Sequence, residues 1–68
     1  MDLSKFERML TRAGFRLLKV YDQKFGEERR IYVQPSIPVL NVRVRGDVVD
    51  EYDALKVRAY LDEEGLLD

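Results

Sequence analysis

The chain reads as an α+β domain of order α-β-β-β-α, a three-stranded antiparallel sheet with two helices on one face. Three observations predict this. Apolar residues recur at three- and four-residue steps near both ends, they alternate with period two between, and a Gly or Pro marks almost every boundary. Sixty-eight residues suit one domain, 1–68, with a core just large enough to hold it.

The first helix is predicted over 4–13. Ser4 and Glu7 form a Ser-x-x-Glu box, in which each side chain satisfies an orphan backbone N–H. Leu3, Phe6, Met9, Leu10 and Ala13 draw one apolar stripe, and Gly14 supplies the left-handed residue that ends the helix. Phe15 is then placed to fold back on Leu10.

Phe15 to Tyr21 is rich in strand formers, but Phe15 and Leu17 share one parity while Leu18 and Val20 share the other. A bulge near Leu17-Leu18 reconciles them, as does partial burial of both faces. Asp22 to Glu27 reads as a hairpin loop with Gly26 at positive φ. Arg29 to Gln34 resumes alternation, with Ile31 and Val33 expected inward and Arg30, Tyr32 and Gln34 outward. Pro35 and Pro38 bracket a second turn. Val39 to Arg45 alternates cleanly: Leu40, Val42 and Val44 inward, Asn41, Arg43 and Arg45 to water.

Gly46-Asp47 ends that strand, and either Asp47 or Asp50 can cap a second helix running to about Glu64. Ala54, Val57 and Leu61 form one stripe with Tyr60 beside it. Tyr52, Leu55 and Ala59 form another, roughly 120–160° away. A helix apolar on two sides points to one face on the sheet and another on the first helix or on a partner, including a second copy. Gly65 closes it, and Leu66-Leu67 is placed to return to the domain.

Charge is divided along the chain. Up to Arg45, ten Lys/Arg face five acids; from Gly46 onward, two face eight. A net +5 is thus followed by −6, which predicts a basic surface suited to a polyanion and an acidic end unsuited to one. With neither Cys nor His, the usual disulfides, zinc ligand sets and imidazole or thiolate catalysis are missing. The four glycines are scattered and form no phosphate loop, and the carboxylates of the second helix suit a solvated surface. The expectation is a protein without catalytic residues, metal or cofactor.

No apolar run reaches membrane-spanning length, and the first residues lack a signal peptide's apolar stretch, so a cytoplasmic protein is expected. Charged residues at 37 % with few amides match the compositional trend of thermophiles. The candidate binding surface is the open face of the sheet, with Arg30, Tyr32, Arg43 and Arg45, joined by Arg16 or Lys19 according to the bulge. Guanidinium groups chelate phosphate and stack on bases, and a tyrosine among them offers a stacking platform. The same pattern also suits an ordinary wet face whose charges guard the sheet edges. Lys5, Arg8 and Arg12 form a second row on the outer side of the first helix.

These elements resemble the HicA family, small toxin ribonucleases with an α-β-β-β-α fold similar to double-stranded-RNA-binding domains. Leu10-Thr11-Arg12-Ala13-Gly14-Phe15 is similar to that family's helix-ending Leu-x-x-Ala-Gly-Phe. Gly26 to Tyr32 falls at its Gly-Ser-His stretch, and Leu61 to Leu66 at its closing helix. The family's catalytic His is absent, with Arg29 or Arg30 standing in that region. The resemblance therefore implies an RNA-binding scaffold in which such an Arg holds phosphate, without imidazole-dependent cleavage. The expected function is a small module binding RNA or single-stranded nucleic acid, or alternatively a protein-interaction or homo-oligomerising module.

Overall fold

Helix α1 (Leu3–Arg12) is capped by Asp2, two residues before the expected Ser4, and the Asp2 carboxylate accepts the N–H of Lys5 at 3.1 Å. The reason lies in the tertiary structure. A Leu3 N–H bond to the Asp47 carbonyl (2.8 Å) and a Val49 N–H bond to the Met1 carbonyl (2.9 Å) pin the chain there, so the helix starts earlier. Glu7 is thereby released from capping. Residues 1–22 and 24–67 are described here from a computed structural model of the chain.

At its other end α1 closes as predicted. The N–H groups of Gly14 and Phe15 bond to the carbonyls of Thr11 (3.0 Å) and Leu10 (2.9 Å), and Phe15 is buried. Gly14 sits at φ +89°, and a Cβ there would lie 3.4 Å from the Gln34 amide nitrogen, an ordinary contact. Gly14→Ala is therefore expected to cost about 1–2 kcal/mol through backbone strain. In thermal melts the midpoint should fall by roughly 5–10 °C.

The sheet runs in the order β1-β2-β3-β4, all antiparallel: β1 (Arg16–Asp22), β2 (Glu27–Gln34), β3 (Ile37–Arg45) and β4 (Val48–Val49). Three long strands are thus joined by a two-residue fourth, which the reading of Gly46-Asp47 as a plain break did not foresee. The bulge in β1 falls between Leu17 and Lys19, so of the two explanations for the broken parity the bulge is the one realised. Bulge and lysine together blunt β1, an edge strand. The loop before β2 contains a 3-10 turn (Lys24–Gly26) with Phe25 and Gly26 both at positive φ; its Gln23 lies outside the described residues.

Strand β3 turns Leu40, Val42 and Val44 inward, as its alternation predicts. Strand β2 departs from expectation. Tyr32 pairs with Leu40 and Arg30 with Val42, so the even-numbered residues of β2 share the helix-covered face. Tyr32 is 2 % exposed, whereas Ile31 and Val33 are only half-buried on the opposite face. Two effects favour this parity over the Ile/Val one. Tyr32 buries a larger apolar body edge-on to Phe6, with ring centroids 6.0 Å apart, and its hydroxyl finds a partner on α1.

Helix α2 (Glu51–Glu63) is capped by Asp50, whose carboxylate accepts the Asp53 N–H at 3.1 Å. Ala54, Val57 and Leu61 join Phe6, Leu10, Phe15, Val42 and Val44 in one core. The chain then turns at Gly65 and returns Leu66 and Leu67 against that core, with Leu66 N–H bonded to the Leu61 carbonyl at 2.8 Å. Tyr52, Leu55 and Ala59, the second apolar stripe, remain exposed. None of the helices among the described residues is long and apolar enough to cross a membrane.

Candidate nucleic-acid interface

Register assigns the open face of the sheet. Beside one another across β1 and β2 stand Arg16 and Val33, Lys19 and Ile31, Tyr21 and Arg29; across β2 and β3 stand Ile31 and Asn41, Arg29 and Arg43. Paired residues share a face, so Arg16, Lys19, Tyr21, Arg29, Asn41 and Arg43 belong to the side opposite the helices.

Of the residues expected on this face, Arg30 and Tyr32 are elsewhere. The Tyr32 hydroxyl donates to Glu7 Oε2 at 2.7 Å, and Arg30 Nη1 donates to the same oxygen at 3.1 Å. Arg30 Nε also donates to Glu28 Oε1 at 3.3 Å. Together these residues clamp α1 to the sheet. Burial, followed by the adjacent Glu7 carboxylate, pushes the Tyr32 hydroxyl well above the ordinary phenol range.

Arg43 lies on the correct side of β3 but is held at its edge. Its Nε donates to Asp53 Oδ2 at 2.9 Å, and its Nη2 lies 3.2 Å from both Asp53 Oδ1 and Asp50 Oδ2. The Asp53 carboxylate also accepts the backbone N–H of Arg43 at 2.9 Å, using a group that β2 leaves unpaired. Hydrogen bonding from Arg43 holds the Asp53 carboxyl below the usual range. Arg45 is more exposed, with a loose 3.6 Å contact to Glu27.

Arg16, Lys19 and Arg29 make no ion pair among the described residues; Arg29 instead donates to Asn41 Oδ1 at 3.0 Å. Lys19 Nζ sits 4.6 Å from the centre of the Tyr21 ring, which is 45 % exposed. The site is thus a tyrosine flanked by two cations with a third further along, bordering half-buried Ile31 and Val33. Such a surface can bind anions and stack planar groups. It offers no pair of carboxylates for proton transfer, and no group of three acidic residues converges on a metal position among the described residues.

Sequence reasoning missed Tyr21, because the bulge assigns its face and bulge placement needs the partner strand. It also missed the clamp role of Glu7, whose place in a capping box explained it too readily. No family model, curated protein or solved structure matches the chain.

Proposed function

We propose that the protein is a small, non-catalytic nucleic-acid-binding module contacting RNA or a single strand through the β1–β2 part of the open sheet face. The observation that carries this reading is Lys19 and Arg29 beside half-exposed Tyr21, with Arg16 further along the same face and none of the three ion-paired among the described residues. Arg and Lys neutralise phosphates while an aromatic ring stacks on unpaired bases. Single strands are favoured because neither α1 nor α2 carries the cluster of base-reading side chains a major-groove reader needs. The resemblance to the HicA family points to the same ligand class.

Anisotropy titrations with labelled single-stranded RNA and DNA at two salt concentrations test the proposal. Binding should weaken with salt, and Lys19→Ala with Arg29→Ala should flatten the log–log salt slope by about 1.4, at roughly 0.7 per phosphate contact. Tyr21→Ala should cost about 1–3 kcal/mol of affinity through lost stacking. Absence of binding at low salt, or unchanged binding in both variants, contradicts the reading.

A further inference from the structure

The helix layer, on the side opposite the proposed nucleic-acid face, carries a surface with its own pattern. Lys5, Arg8 and Arg12 of α1 stand across from Arg58 of α2 around an open groove of about 470 Å³, floored by Met9, Leu66 and Leu67. Arg58 and Leu67 also border the adjoining depression, lined by Leu55, Ala59 and Asp62. An apolar strip therefore runs from α1 over the C-terminal turn onto the outer side of α2, where Leu55 is 63 % and Tyr52 64 % exposed. Lys5, Arg8 and Arg12 border it on the α1 side and Arg58 on the α2 side. On α2, exposed Glu51, Asp62 and Glu63, followed by Glu64 at its C-cap, outnumber exposed Lys56 and Arg58, and none of these acids is ion-paired among the described residues.

We propose that this surface is a homodimer interface in which α1 of each copy packs against α2 of its partner. A small anion would engage the cations but leaves the apolar strip and the α2 carboxylates unexplained. A second copy accounts for all three. A two-fold axis through the strip brings each basic α1 row to the partner's acidic α2 and lays apolar surface on apolar surface, the closed form of self-complementary assembly. An apolar strip of this kind on so small a domain is also what an interface requires. The sheets' open faces then point away from each other, so the proposal stands independently of what those faces bind.

The test is sedimentation equilibrium over a concentration series at low and high salt, with charge-swapped chains. The wild type should dimerise, more weakly as salt rises. Arg8→Glu with Arg12→Glu should weaken the dimer by more than about tenfold, as should Asp62→Lys with Glu63→Lys, because each sets like charges together. Mixed in equal amounts, the two variants should form a heterodimer, since both contact zones regain opposite charges. Leu55→Asp should abolish dimerisation, with circular dichroism verifying that every variant is folded. A wild type that stays monomeric throughout overturns the proposal. So does a dimer indifferent to charge reversal, or folded swapped chains that do not recover in the mixture.

Discussion

Glu7→Ala is expected to destabilise the domain by about 2–3 kcal/mol, although Glu7 is itself only partly buried. The loss falls chiefly on Tyr32. With Glu7 removed, a hydroxyl on a residue 2 % exposed has no acceptor, and an unsatisfied buried donor costs about 1–3 kcal/mol. The Arg30 contact adds less, because the Glu7 side chain is 36 % exposed and solvent screens the pair, while Glu28 still holds Arg30. For a domain of this size the melting midpoint should fall by about 10–20 °C. Glu7→Gln, which keeps an acceptor oxygen, should lose about half as much. Thermal melts of the two variants separate the missing hydrogen bond from the missing charge.

The same clamp predicts alkaline sensitivity. Folding favours the protonated hydroxyl, so Tyr32 contributes stability that is complete below the ordinary tyrosine value of about 10. That contribution is lost as pH rises from there toward the higher folded-state value. A wild-type stability curve falling above about pH 10, and a shallower fall in Tyr32→Phe, are the expected outcomes.

Asp53→Ala should rank next, at about 2–3 kcal/mol. One carboxylate accepts the Arg43 backbone N–H, receives its guanidinium and adds negative charge to the first turn of α2. A hydrogen bond involving a charged group contributes about 1.5–3 kcal/mol, and a favourable charge at a helix N-terminus about 0.3–1. The pH sign is opposite to that of Tyr32. A folded-state carboxyl held below its ordinary value stabilises the protein above about pH 4, and that stability is lost as pH falls through the folded-state value. Urea melts at neutral pH and near pH 3 should show a wide gap between wild type and Asp53→Ala that narrows in acid.

The fold was legible wherever a local rule decided the matter. Gly14 with Phe15, the clean alternation from Leu40 to Val44, and the Ala54-Val57-Leu61 stripe each follow from chemistry within a few residues. What could not be read depended on partners distant in sequence. The face of Tyr32 is decided by pairing with Leu40, contact with Phe6 and an acceptor on Glu7, none of them its neighbours. Arg43 reads as a solvent-facing strand residue until α2 brings Asp50 and Asp53 to it. The candidate site was therefore only partly legible. Arg16 and Lys19, read as alternatives, both stand on the open face with Arg29, whereas Arg30 and Tyr32 hold α1 to the sheet and Tyr21 takes the aromatic's place.

In the proposed function the cations of the open face, Lys19 and Arg29 beside Tyr21 and Arg16 further along, receive a nucleic-acid strand. The most direct test is a ¹⁵N-correlation NMR titration of the whole chain with a short single-stranded RNA. Shifts should concentrate on β1 and β2 around Arg16, Lys19, Tyr21 and Arg29, leaving α2 unmoved. Shifts confined to α1 and α2, or a spectrum that does not respond at low salt, would contradict it.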